Sequence, residues 1–324
     1  MDILLGIESS NHSLGMREIC CRESLNNAFV PASENIKRLA QLDISSSVVR
    51  QIVEYEGCEL SLAQHKSQTA PDFKAEDCTE KTIITGTDGV MVPMVTEQQK
   101  LKRKKEKRKS TAKPSRPRKG NDGPYKEFKI VAFYDKDKTH QYVVGTSGNH
   151  KVAGRIMRQV GRKLDISQAK KKYSVSDGAT WILRQYNTQL PMLDENILDF
   201  YHFRDHVTGA SHVLFGEGSK EASNWKEKMM EAAQNQGSLV MLDRLRECFV
   251  ELKDDEKRGE LENLREYVGK RIAMTDYPYF LNLGHDIGSG MRWDRDNAEA
   301  VMALASVYYS NQWDRYWKSR HKAA

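Results

Sequence analysis

Between Lys81 and Phe200 the apolar residues change period several times, and the order of those changes restricts the fold more than any other feature of the chain. Lys81 to Val95 carries Ile83, Ile84, Val90, Val92 and Val95, which reads as one strand bent or broken near Gly86, or as a strand pair. Phe128 to Tyr134 and Gln141 to Gly145 read as two strands joined by the turn Asp135-Lys136-Asp137-Lys138. His150 to Leu164 then places Val152, Ile156, Val160 and Leu164 on one stripe of a basic amphipathic helix. A short strand follows at Tyr173 to Gly178, a helix at Ala179 to Tyr186 and a last strand at Asn196 to Phe200. Strand, strand, strand, helix, strand, helix, strand predicts an α/β mixed sheet with helices on its faces.

Both flanks read as helical. Ala32 to Gln41 presents Ile36, Leu39 and Ala40 on one face, and Ser45 is placed to cap a second helix that carries Val48, Val49, Ile52 and Val53 and stops near Gly57. Two helices with so short a break have helix-turn-helix spacing, and plain helical packing gives the same pattern. After Tyr201 the pattern stays helical: Leu239, Leu242, Leu245, Cys248 and Phe249 line one face, Leu261, Leu264, Tyr267, Val268 and Ile272 another. Asn297 to Trp317 forms a final helix. A chain of 324 residues corresponds to about two domains. The expected division is a helical region over 1–66 and an α/β domain over 81–317.

Charge is unevenly placed. Residues 98–124 hold 12 Lys/Arg and 2 acids, whereas the remainder holds 39 basic and 43 acidic residues. One short segment therefore makes the chain basic. It contains three prolines and few apolar residues, so self-repulsion favours an open, disordered loop. Its densest part, Lys102, Arg103, Lys104, Lys105, Lys107, Arg108 and Lys109, is suited to contact with DNA phosphates. A nuclear localisation signal has the same composition. The five cysteines, Cys20, Cys21, Cys58, Cys78 and Cys248, have neither disulfide-framework nor zinc-site spacing, which favours a reduced, intracellular setting. The start MDILLGIESSNHS lacks the basic and apolar regions of a signal peptide, and the apolar stretch Val301 to Tyr309 is far below the roughly 20 residues of a membrane span.

Two aspartates stand out by position. Asp88 lies within an apolar strand and Asp177 ends another, each followed by glycine. Carboxylates brought together from neighbouring strands suit Mg²⁺ or Mn²⁺, although Asp-Gly also marks ordinary turns. His202 and His206, four apart and near Asp199 and Asp205, have metal-ligand spacing, a spacing that local packing also produces. The glycines of 284–290 belong to no P-loop or dinucleotide fingerprint.

Several segments in order extend this reading: Thr87 to Pro93 (TDGVMVP), Ser176 to Ile182 (SDGATWI), Ile197 to His202 with Asp205-His206, Leu214 to Gly218, Met274 to Pro278, Ile287 to Gly290 and Met291 to Trp293. In this order the chain resembles the insertion-sequence DDE transposases of the ISKra type, from about Leu4 to Trp317. The resemblance implies a ribonuclease-H-like catalytic domain with a helical insertion at 206–286, and Asp88 and Asp177 as the first two catalytic, metal-binding carboxylates. It also implies Mg²⁺ or Mn²⁺ as cofactor, DNA as partner, a homo-oligomer assembled on DNA and a cytoplasmic, DNA-associated location.

The chain departs from that pattern at the third carboxylate. In the family, Ile-Gly-Ser-Gly is followed by an acidic residue that opens a helix, and only then by Gly-Met-Arg-Trp. Here Gly290 runs directly into Met291-Arg292-Trp293. The resemblance thus implies an internally deleted copy, with a leading region also missing. Asp294, Asp296 and Glu299 lie close by, and none occupies the motif position. Three functions compete: a DDE transposase lineage with a defective site, a DNA-binding protein without catalysis, and a metal-dependent nuclease that uses Asp88, Asp177 and another acid such as Asp199.

Overall fold

The computed structural model describes residues 11–66, 68, 69, 71, 74–93, 125–287 and 299–323. Three helices open the described chain: α1 (Leu14–Glu23), α2 (Phe29–Ala40) and α3 (Ser46–His65). Ser13 and Ser45 cap α1 and α3 by accepting the Met16 and Val48 amides, Ser45 as its position before the apolar pattern predicts. Gln41 ends α2 in the left-handed region. A single turn, α4 (Ala75–Cys78), precedes the sheet.

Five strands follow: β1 (Thr82–Pro93), β2 (Tyr125–Asp135), β3 (Gln141–Thr146), β4 (Lys171–Ser176) and β5 (Glu195–Leu198), in spatial order β3-β2-β1-β4-β5. The first three pair antiparallel, while β4 and β5 run parallel to β1. Helix α5 (His150–Lys163) connects β3 to β4, and α6 (Thr180–Gln189) connects β4 to β5. This is the expected mixed α/β sheet, and its order is that of a ribonuclease-H-like fold. β1 is one unbroken strand through Gly86, because β2 pairs with it continuously from Ile83 to Pro93. The last strand ends at Leu198, since Asp199 already caps the next helix.

Alternation along the strands sends side chains to two separate cores. One face, with Ile83, Val131, Phe133 and Val144, packs against Ile156, Met157 and Val160 of α5 and Ile182 and Tyr186 of α6. The other, with Ile84, Ile130, Tyr173, Val175 and Ile197, packs beneath α7 (Phe200–Phe215), α8 (Lys220–Asn235), α9 (Ser238–Glu251), α10 (Asp255–Gly269) and α11 (Tyr277–Asn282).

A third core joins the two ends of the chain. Leu14, Ile36, Val49, Val53 and Leu60 pack with Val301, Leu304 and Val307 of α12 (Glu299–Tyr309) and Trp313 and Trp317 of α13 (Trp313–Ala323). Two expectations change here. Helix α3 does not stop at Gly57 but continues to His65, and glycine is needed at that position because a Cβ there would collide with the Ala300 main chain. That glycine serves a helix crossing, not a cap. The final helical stretch is two helices, separated at Ser310–Gln312 where Asn311 takes φ +56°. Among the described residues no helix is long and apolar enough to cross a membrane.

Candidate active site

Thr87 of β1 lies opposite Ser176 of β4, so Asp88 and Asp177 are the next residues on adjacent parallel strands. Asp88 shares the alternation of Ile84, and Asp177 continues that of Tyr173 and Val175. The two carboxylates therefore rise from the same face of the sheet, Asp88 within β1 and Asp177 just after β4, where the parallel pairing of these strands ends. Both are half-buried. Asp88 Oδ1 accepts the Gly89 amide at 2.7 Å, and Asp177 Oδ1 accepts the Ala179 amide at 2.8 Å as the chain enters α6.

Burial pushes the Asp88 carboxyl above its ordinary value, and the negative charge of Asp177 pushes it further in the same direction; the Gly89 amide opposes both. His202 and Asp199 act on Asp88 as well, from the start of α7. Asp199 follows β5, and its amide donates to the Ser176 carbonyl at 2.8 Å, which holds the end of β5 against β4. It is 7% exposed. Its Oδ1 accepts the His202 amide at 2.9 Å as the helix cap, while its Oδ2 is buried with no partner. Asp88, Asp177 and Asp199 thus share one corner of the molecule, with His202 beside them.

A second group closes this corner from far along the chain. The His202 and His206 rings meet edge to face at 5.0 Å, and His206 stacks on Tyr267 of α10 at 3.8 Å. The Arg271 guanidinium lies 4.1 Å from the Tyr267 ring centroid, and its Nη2 donates to the Gly178 carbonyl at 3.3 Å. Gly178 adopts φ +71°, and a Cβ there would stand 2.8 Å from Leu198 Cδ1 and 2.9 Å from Arg271 Nε. Glycine after Asp177 is therefore demanded both by the backbone and by the space. Burial raises the Tyr267 hydroxyl to about 12; Arg271 opposes the shift, and Asp177 and Asp199 add to it. Tyr267 was legible only as part of an apolar helix face and Arg271 not at all, because no local signal links them to His206 and Gly178, which lie far earlier in the chain.

Among the described residues no group of three or more His, Cys, Asp or Glu side chains is arranged to hold a metal ion. The His202/His206 pair is brought together, but His206 presents a ring face to Tyr267. The basic residues Lys102 to Lys109, the turn Gly288–Gly290, Met291 to Trp293, Asp294 and Asp296 lie outside the described residues. Glu299 opens α12. No protein-family model matches the chain, and no curated protein matches it in sequence.

Proposed function

We propose that this chain is of DDE transposase lineage: a DNA strand-cleaving and strand-transferring site built on Asp88 and Asp177, defective through loss of its third carboxylate. The observation that carries the reading is the pair itself, two aspartates side by side where adjacent parallel strands cease to pair, on one sheet face, with the charge of Asp177 adding to the cost of ionising Asp88. The family resemblance of the surrounding segments supports it.

The donor set fits a hard divalent cation. Asp88 and Asp177 offer carboxylate oxygens from one sheet face, and the buried Asp199 Oδ2 nearby is unpartnered, while no third side chain among the described residues is arranged with them to hold an ion. Asp88 and Asp177 would hold Mg²⁺ or Mn²⁺. When bound, such ions activate water and stabilise the leaving 3′-oxygen of a phosphodiester. The chain's own residues do the positioning: Gly89 and Ala179 amides orient the two carboxylates, and Arg271 fixes the Asp177 turn through the Gly178 carbonyl. Small displacements of such groups cost about 10²-fold in rate. The direct junction of Gly290 to Met291 removes the acid and helix that the family places there. DNA is the partner in this reading, bound in part through the 98–124 block by a homo-oligomer in a cytoplasmic, DNA-associated setting.

The test is strand cleavage with Mg²⁺ or Mn²⁺ on DNA that carries the element's own ends. The unmodified chain is expected to leave it intact, and a chain with the acid-led helix restored after Gly290 to cut it. Failure of the restored chain as well would leave a DNA-binding protein without catalysis. A second reading, a nuclease that uses Asp199 as third acid, draws on the unpartnered Oδ2. Cleavage by the unmodified chain, abolished by Asp199→Asn, would establish it. Asparagine caps a helix as well as aspartate does, so that substitution removes charge and spares α7.

A further inference from the structure

Residues 150–193 hold nine Lys/Arg and two acids, a second basic concentration that the acid-rich remainder of the chain conceals in the overall arithmetic. Five of these cations lie on α5; Lys163 donates to the Thr69 carbonyl, and the other four are Lys151, Arg155, Arg158 and Arg162. All four are exposed, and among the described residues none makes an ion pair or a side-chain hydrogen bond. At 100° per residue they occupy about 60° of the helix circumference and extend about 16 Å along its axis. Helix α5 contains no acid to neutralise them.

We propose that this stripe is a docking surface for duplex DNA, which it holds by the phosphate backbone. The stripe is separate in sequence from the 98–124 block, and α5 covers the sheet face opposite the one that carries Asp88 and Asp177. A duplex segment about 16 Å long presents about five phosphates per strand, enough to face all four cations. The scaffold is rigid. A Cβ at Gly154 would collide with Gln185 and one at Gly161 would stand 2.8 Å from Leu190, so α5 is seated closely on α6. Two other partners of basic helices fit poorly. The apolar side of α5, Ala153, Ile156, Met157 and Val160, is buried against the sheet and leaves nothing to insert into lipid. The helix has no Phe, Tyr or Trp on which unpaired bases could stack.

The choice of DNA among polyanions rests on the function proposed above, whereas the electrostatic contact does not depend on cleavage. The experiment is therefore run without divalent metal, on the full chain, by fluorescence anisotropy with a short labelled duplex. Removing three phosphate contacts with Arg155→Gln, Arg158→Gln and Arg162→Gln together should reduce the slope of log K against log salt by about 2.7. Between 50 and 200 mM salt the unsubstituted chain should lose about 40-fold more affinity than this variant. The corresponding triple Arg→Lys variant should keep the original slope, which a role in folding alone would not produce. If the triple Gln variant does not fold, Arg158→Gln alone should reduce the slope by about 0.9. Asp88→Asn with Asp177→Asn should leave the slope unchanged, so the stripe stands even where the cleavage reading fails. An unaltered slope in the Gln variant would overturn the proposal, and so would stripe-dependent binding to phosphatidylserine vesicles with no effect on DNA.

Discussion

Glu56 in α3 is fully buried between Arg17 of α1 and Arg320 of α13. The Arg17 guanidinium contacts its Oε1, and Arg320 Nη2 lies 3.1 Å from Oε2. The cluster ties both ends of the described chain together inside the third core. Arg17 is itself 3% exposed, so Glu56→Gln would strand a buried guanidinium with no compensating charge. Removing one partner of a buried pair typically costs about 3–5 kcal/mol. At about 1.5 °C per kcal/mol for a chain of this size, the midpoint of thermal unfolding should fall by about 6 °C. Scanning calorimetry measures that shift, and hydrogen exchange should show α1, α3 and α13 losing protection before the sheet does. The double substitution Arg17→Met with Glu56→Leu removes both buried charges and should recover most of the loss, since apolar replacements of buried pairs are often neutral. A fall of less than about 2 °C for Glu56→Gln would refute the reasoning, because a desolvated guanidinium left unpaired cannot be that inexpensive.

Gly57→Ala should destabilise the protein by about 1–3 kcal/mol despite the gain in helix propensity, because the added methyl meets the Ala300 backbone; Gly209→Ala in α7, where a Cβ meets nothing within 4 Å, should stabilise it by about 1 kcal/mol, and urea unfolding of the two variants compares them directly. Asp88→Asn should raise stability at neutral pH in the absence of metal. The folded-state carboxyl value is raised, so the stability it contributes is present in acid and lost as pH rises through that value. The gap between the variant and the unsubstituted chain should therefore open from acid to neutral pH, and a gap independent of pH would contradict it.

The sheet was legible because each strand carries its own period and its own turn residues. The Asp-Gly pairs marked the ends of interest, although from spacing alone nothing distinguished a turn from a carboxylate site. Ser45 was legible as a cap because capping depends on one hydroxyl and a local amide. Gly57 was misread because its reason lies in Ala300, more than 240 residues away, and a close helix crossing leaves no local trace. The division of α12 from α13 was hidden by apolar residues that continue the helical period across Ser310–Gln312. The cations of α5 were visible one by one as a basic amphipathic helix. Only the packing of α5 on α6 and the sheet shows that its apolar side is occupied and its charged side free.

Beyond the Asp199 cap of α7 and the Asp177 bond to the Ala179 amide, the fold gains nothing from gathering Asp88, Asp177 and Asp199 in one corner. Burial and like charge both penalise Asp88, Asp199 Oδ2 is desolvated without a partner, and Arg271 contacts the Gly178 carbonyl and the Tyr267 ring instead of a carboxylate. Amide side chains would keep these hydrogen bonds without the buried charge. A positively charged ligand reverses the account, which gives a sign that can be measured. For a site with a dissociation constant of about 1 mM, 10 mM Mg²⁺ stabilises the folded chain by about 1.4 kcal/mol. The unfolding midpoint should then rise by about 2 °C, and Mn²⁺ should act in the same direction. Chelation should cancel the rise. Asp88→Asn, the more stable form without metal, should show no rise at all, so the difference between the two proteins narrows as Mg²⁺ is added. Equal rises in both would place the bound ion away from the sheet, and the carboxylate corner would lose its claim to be a metal site.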